Sequence, residues 1–319
     1  MGKWTADDIP DQNGRTIVVT GANAGLGLES AKRLAERGAR VILAARKPEA
    51  GREALKRVAA VATGQQPSLV PLDLADLDSV ATAAGEIAAL TDRVDVLMNN
   101  AGVMAIPKRS TTAQGFETQL GVNHLGHVAL TVRLVPLLLA AGTDERPARV
   151  VTLGSIAHLQ GKITIDDLQS EQRYDAWRAY NQSKLANVMY ALELDKRAKL
   201  AGLPLLGVSS HPGVSTTALF QSGPQASGFN PINKVMQLGT AIIGQSPKAG
   251  ALGQLRAATD PETRGGEYYG PTGFNGWRGP PVIAPVSKRA MDDDMSTRLW
   301  DASEQLVGVT FDDAVAATT

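Results

Sequence analysis

The chain has 319 residues, no cysteine, 43% apolar and 20% charged residues, and 32 Lys plus Arg against 32 Asp plus Glu. That length buries a core without help from metal or disulfide, and the missing thiols exclude thiol catalysis, disulfides and thiolate-bound metal. Zero net charge provides no global field for nucleic acid or anionic membrane, so an anionic ligand needs a local site.

The first fourteen residues are polar, with Asp7, Asp8 and Asp11, and predict neither a signal peptide nor an anchor. The longest apolar stretches, such as 128–141, are interrupted by Arg133 and Pro136. They fall short of the roughly 18 uninterrupted apolar residues of a membrane span, so the expectation is a soluble, cytoplasmic protein. Strands are predicted at 15–20, 40–45, 68–73, 94–99, 149–153 and 205–210. Ile17-Val18-Val19 and Val41-Ile42-Leu43 are apolar on consecutive residues, the mark of strands buried on both faces of a parallel sheet. Helical periodicity fills the intervals. Over 26–37, Leu28, Ala31, Leu34 and Ala35 share one face, and Gly38 supplies a stop.

Past residue 213 the pattern loosens. A Gly/Pro-rich stretch at 221–231 reads as a loop, 247–258 as a helix, and 267–269 as a last strand. The segment 270–285 reads as irregular but packed by Phe274 and Trp277, and 296–306 as a closing helix. The expected fold is α/β, a doubly wound parallel sheet of Rossmann type in one domain. Its core would be 15–213, its substrate lid about 214–246 and its C-terminal flank 247–319.

The first strand runs into Thr20-Gly21-Ala22-Asn23-Ala24-Gly25-Leu26-Gly27 and then a helix. Glycines in such a turn let the backbone approach a pyrophosphate, whose charge rests on the free amides of the helix N-terminus. Taken alone, the cluster also fits a tight turn that binds nothing. The second strand ends Ala44-Ala45-Arg46-Lys47, with no carboxylate for a ribose 2′-hydroxyl. Arg46 offers a fork suited to a 2′-phosphate, although a solvated arginine also fits. NADP(H) is the expected cofactor.

Tyr180 and Lys184 lie four apart in the helical segment 175–200, one above the other on one face. A nearby ammonium favours the phenolate, which brings an ordinary phenol, with a pKa near 10, closer to neutral working range. The pair alone arises often by chance. Ser155 after the fifth strand adds weight, as do Asn99-Asn100-Ala101-Gly102 after the fourth, Asp73 ending the third, and His211-Pro212-Gly213 after the sixth. All fall at the carboxyl edge, where such sheets bind ligands.

With these residues in this order, the sequence resembles the short-chain dehydrogenase/reductase family along nearly its whole length. The resemblance implies a catalytic set of Asn123, Ser155, Tyr180 and Lys184. Tyr180 would pass the proton, Ser155 hold the substrate oxygen, Lys184 bind the nicotinamide ribose, and Asn123 position a relay water. It implies that Gly21, Asn23, Ala24, Gly25, Leu26, Gly27, Arg46, Asp73, Leu74, Asn100, Ala101, Gly102, Tyr180, Lys184, Pro212, Gly213, Ser215 and Thr217 bind the cofactor. Asp73 would meet the adenine, Asn100 the adenine-side ribose region, and Ser215 and Thr217 the carboxamide.

Within the family the chain looks most like the retinol-dehydrogenase-like branch, which also resembles protochlorophyllide reductases. The features are Val122-Asn123-His124-Leu125-Gly126-His127, the gap from Ser155 to Tyr180 with Ile165-Asp166-Asp167-Leu168-Gln169, and Ser183-Lys184-Leu185-Ala186-Asn187. It departs in having no hydrophobic N-terminal anchor, and in Gly154, where a second serine often stands. The expected activity is hydride exchange between NADP(H) and a fairly apolar carbonyl compound or its alcohol, in a homodimer or homotetramer. The alternatives are an extended-branch epimerase or dehydratase, or a non-catalytic NADP-binding regulatory protein. His124 and His127 lack further ligands at metal-like spacing and read as capping or packing residues. Asp292-Asp293-Asp294 reads as a solvated helix approach, and Met104 as a pocket wall.

Overall fold

The structure, a computed structural model, describes residues 3–213, 245–273 and 276–318. Eight strands form one sheet in the order β3-β2-β1-β4-β5-β6-β7-β8. They are β1 (Thr16–Thr20), β2 (Arg40–Ala45), β3 (Ser68–Pro71), β4 (Val96–Asn99), β5 (Ala148–Leu153), β6 (Leu205–Ser210), β7 (Tyr268–Gly273) and β8 (Arg278–Ile283). All neighbours run parallel except β8, which pairs antiparallel with β7. The six expected strands are present, with the third ending two residues short of Asp73.

The consecutive apolar residues of β1 divide between two cores, as alternation along a strand requires. Val18 joins the core under α3 (Leu77–Leu90), α5 (Gly126–Ala141) and α6 (Ala176–Leu200). Ile17 and Val19 join the core under α1 (Gly25–Glu36) and α2 (Pro48–Ala59), completed by a helix at Leu252–Thr259. Ile17 pairs with Val41 on one side and Val96 on the other. Strand order therefore reverses beside β1, and a crevice opens there at the carboxyl edge.

Before α5 come a short turn of helix, α4 (Thr118–Leu120), and a π-helical turn, Gly121–Leu125. The run Thr118–Ala141 is long and apolar enough to span a membrane by length and composition, yet 72% of its most apolar window is buried inside the protein. It is a core helix in this structure.

The segment 270–285, expected to be irregular, instead forms most of the β7–β8 hairpin, in which Pro271 pairs with Pro281. Pro281 is tolerated because β8 is an edge strand, and Pro271 because it lies beyond the β6 pairing of β7, which stops at Tyr269. Gly270 is required because the His211 ring occupies the space a Cβ would take. The predicted helix at 247–258 is two pieces, α7 (Pro247–Gly250) and α8 (Leu252–Thr259). The closing helix, α9 (Asp293–Val307), starts earlier than expected because the Asp292 carboxylate accepts from the Met295 amide at 3.1 Å. A further helix, α10 (Phe311–Ala316), follows a left-handed Gly308. Trp300 of α9 stacks on Tyr190 of α6 at 5.0 Å and 13°, which docks the C-terminal flank on α6.

Candidate active site

The phosphate cradle is built by local backbone geometry. Gly21 (φ 65°) and Gly25 (φ 57°) turn the chain sharply between β1 and α1. Ala24, at the N-cap, has no side chain to cap the first-turn amides, so those donors remain for a ligand. A Cβ on Gly27 would lie 2.5 Å from the Gly21 carbonyl oxygen and 2.6 Å from Asn100 Nδ2.

A cleft of about 310 Å³ opens from this turn. Gly21, Asn23, Ala24, Gly25, Leu26, Arg46, Asp73, Leu74, Asn100, Ala101 and Gly102 all line it, as expected from sequence. Gly27 does not, because its role is the close approach of α1 to β1. The wall also includes Lys47, Ala44, Leu72, Val103, Val122 and Leu153. Of these only Lys47 carried a chemical signal in the sequence, as a second cation after β2. The Asp73 carboxylate accepts from the Ala75 amide at 3.0 Å. Asn100 donates to the Thr20 carbonyl at 2.7 Å and accepts from Gln254 at 3.2 Å, so its amide holds the wall as well as facing the cleft.

Pro212 and Gly213 close the end of β6 rather than lining the cleft. The Pro212 carbonyl accepts from Gln245 at 2.7 Å, and Gly213 (φ 64°) lies against the Trp277 carbonyl. Ser215, Thr217, Phe274 and nearly all of the expected lid, 214–244, lie outside the described residues.

None of Asn123, Ser155, Tyr180 and Lys184 lines the cleft itself, although Tyr180 and Lys184 were expected among the cofactor-binding residues. Asn123 and Lys184 brace its wall from behind at Gly102, Val103 and Leu153. The Asp175 carboxylate caps α6 through the Arg178 amide at 2.8 Å, which sets Tyr180 and Lys184 one turn apart on its inner face. The Lys184 ammonium donates to the Leu153 carbonyl at 2.9 Å and stands 6.0 Å from the centre of the Tyr180 ring. Burial pulls Lys184 down to about 8.

Tyr180 departs from expectation. Burial pushes its phenol above the ordinary value, while the nearby Ser155 side chain draws it partly back. The ammonium is directed at the Leu153 carbonyl instead, and burial of the ring sets the direction.

Ser155 caps a short 3₁₀ turn through the Ala157 amide at 3.2 Å. Its carbonyl accepts from His158 Nδ1 at 2.7 Å and from the Tyr268 hydroxyl at 3.1 Å. Tyr268 and Val188 together crowd Gly154, because a Cβ there would lie 3.1 Å from the Val188 side chain, 3.2 Å from the Tyr268 ring and 3.3 Å from its hydroxyl. Nothing in the sequence linked Tyr268 to Ser155.

Asn123 is fully buried in the π-helical turn. Its amide nitrogen donates to the Val103 carbonyl at 2.9 Å and to Ser183 at 2.9 Å, and its oxygen accepts from the Val103 amide at 2.7 Å. Both amide protons are thus engaged in holding the wall. Met104 and Ala105 pack on Tyr180, and Trp177 meets it edge-on at 6.0 Å. The two histidines cap no helix: His127 bonds to Thr20 and Asn123, and His124 to Ser303.

A family model described as short chain dehydrogenase matches residues 15–226. The chain belongs to the short-chain dehydrogenase family. It falls in the retinol-dehydrogenase-like branch, being 39% identical to human retinol dehydrogenase 11 over 94% of this chain and 87% of that protein. Polyprenol dehydrogenase from mouse is 36% identical over 96% of this chain and 88% of its own length. A solved structure of an uncharacterised protein from Mycobacterium paratuberculosis covers 97% of this chain and 99% of its own, with 38% identity and a TM-score of 0.77. The NADP active-site complex of Pseudomonas aeruginosa RhlG is 26% identical, covers 81% of this chain and 94% of its own, and has a TM-score of 0.63.

Membership makes the protein an oxidoreductase with a nicotinamide cofactor. The residues fit such a group: uncapped α1 amides face the cleft, and the glycine turn leaves room for a pyrophosphate beside them.

Proposed function

We propose that the protein is an NADP(H)-dependent reductase/dehydrogenase that interconverts a fairly apolar carbonyl compound and its alcohol. The observation that carries this reading is the buried Tyr180 phenol, acted on by the Ser155 side chain and set beside Lys184, behind the wall of a cleft that begins at the uncapped α1. The preference for NADP(H) is supported by Arg46 and Lys47, two cations on the cleft wall where β2 ends without a carboxylate. The apolar substrate is supported by Met104 and Ala105 packed on Tyr180, and by Trp177, 41% exposed, at its edge. The named substrates of the relatives, retinol and polyprenol, are themselves apolar alcohols.

In this reading Arg46 and Lys47 hold the 2′-phosphate, and the α1 amides hold the pyrophosphate. Lys184 reaches the nicotinamide ribose, and Ser155 Oγ–H donates to the substrate oxygen. The bound cofactor supplies or accepts the hydride. Tyr180 gives its phenolic proton to the oxygen in reduction and takes it back in oxidation. The raised phenol suits the first role, because the acid stays protonated throughout the neutral range.

A turnover screen tests the whole reading. Apolar aldehydes should drive loss of NADPH absorbance, with NADH less effective. No turnover with any carbonyl class, or equal use of NADH, would count against it.

A further inference from the structure

His127 sits in a buried chain of hydrogen bonds whose directions are fixed by its ends. Ser183 Oγ gives its one proton to the Tyr180 carbonyl at 2.8 Å, so it accepts from Asn123 Nδ2 at 2.9 Å. Asn123 gives its other amide proton to the Val103 carbonyl.

At the far end, Thr20 Oγ1 accepts from the amides of Asn100 at 2.9 Å and Ala101 at 3.0 Å. Its own proton faces His127 Nε2 at 2.9 Å, a closer acceptor than the Met98 carbonyl at 3.3 Å. The proton of His127 is then on Nδ1, and it goes to the Asn123 carbonyl at 3.0 Å. Thr20, Asn123 and Ser183 are fully buried, and His127 is 2% exposed.

We propose that His127 is a positioning residue that locks the Asn123 turn to the phosphate cradle, setting the wall around Gly102 before a dinucleotide enters. Ala101 is held by Thr20 and Val103 by Asn123, so the chain grips the wall on both sides of Gly102. A Cβ on Gly102 would lie 2.9 Å from Asn123 Oδ1 and 3.6 Å from the Lys184 ammonium, which shows how closely wall and lysine approach. Burial pulls the His127 pKa down to about 3, so the neutral ring persists wherever the enzyme works. Neither ring nitrogen is left over for a metal or for proton delivery. The inference rests on the reading that the cleft takes a nicotinamide dinucleotide.

Five variants test the clamp: His127→Phe, Thr20→Val, the double variant of these two, and the conservative counterparts His127→Gln and Thr20→Ser. NADPH affinity is measured by calorimetry, turnover on an apolar aldehyde by absorbance, and folding by thermal melting. His127→Phe should lower kcat about 10-fold or more with a smaller loss of NADPH affinity, and Thr20→Val should do the same. Because the two residues act as one unit, the double variant should be no worse than the worse single. Thr20→Ser keeps the hydroxyl, and His127→Gln keeps an acceptor for it, so both should recover much of the lost turnover.

A folded His127→Phe enzyme with wild-type kcat and affinity, or losses that simply add, would overturn the proposal. A ligand-free measurement stands beside these. Amide exchange at 121–125 should quicken about 10-fold in Thr20→Val if the clamp holds the turn, and unchanged exchange refutes the clamp. If the wild type binds neither NADPH nor NADH, the functional reading fails, while exchange still decides the clamp.

Discussion

The ammonium of Lys184 is bonded to the carbonyl of Leu153, the last residue of β5, at 2.9 Å. The same carbonyl accepts from the Asn187 amide at 3.1 Å, so it keeps a partner when the lysine moves or is removed. Lys184 is buried with no carboxylate partner among the described residues, and burial pulls it down to about 8.

The first prediction concerns stability. In the unfolded chain Lys184 titrates near its ordinary 10.5, so between about 8 and 10.5 the unfolded state binds more protons. Stability from this group therefore rises with pH through that window, and below about 8 the buried charge costs about 3 kcal/mol. Lys184→Met should melt several degrees above the wild type near neutral pH, and the gap should close as pH nears 10.5. A variant that melts lower at neutral pH contradicts the assignment.

The second concerns the proton. Tyr180→Phe keeps the packing against Met104 and Trp177 but removes the transferable proton. Turnover should fall about 100-fold or more while NADPH still binds. With the phenol raised by burial, the wild type should reduce carbonyls at a pH-independent rate across neutrality as far as the phenol is concerned. Alcohol oxidation, which needs the phenolate, should quicken with rising pH. Steady-state pH profiles in both directions check the sign.

Cofactor choice provides the third. Arg46→Ala should raise the Kd for NADPH about 10-fold or more, the loss of a charge-assisted contact, and leave NADH nearly unchanged. Parallel titrations of both cofactors decide it. Equal losses for the two would remove Arg46 from the 2′-phosphate.

A fourth tests the cradle. An added Cβ in Gly27→Ala would meet the backbone oxygen of Gly21 at 2.5 Å, and backbone cannot swing aside as a side chain can. The expected cost is about 1–3 kcal/mol of stability, read by denaturant melts. Cofactor affinity should fall with it, because α1 is pushed away from β1.

Much of this protein is legible in its sequence because the relevant physics is local. Consecutive apolar residues at Ile17-Val18-Val19 require a strand covered on both faces. Four-residue spacing puts Tyr180 and Lys184 on one face of α6. The Gly21–Gly27 turn needs only its own backbone. The hairpin at Tyr268–Ile283 was hidden because proline and glycine also suit loops, and only an edge position makes them compatible with pairing. Tertiary structure alone decided which distant groups meet. It placed Tyr268 against Ser155 and His127 between Thr20 and Asn123. It also buried Tyr180 so deeply that its acidity moved opposite to the direction the neighbouring lysine implied. Periodicity reports which face a residue takes, whereas desolvation and long-range hydrogen bonds depend on what the rest of the fold packs against that face.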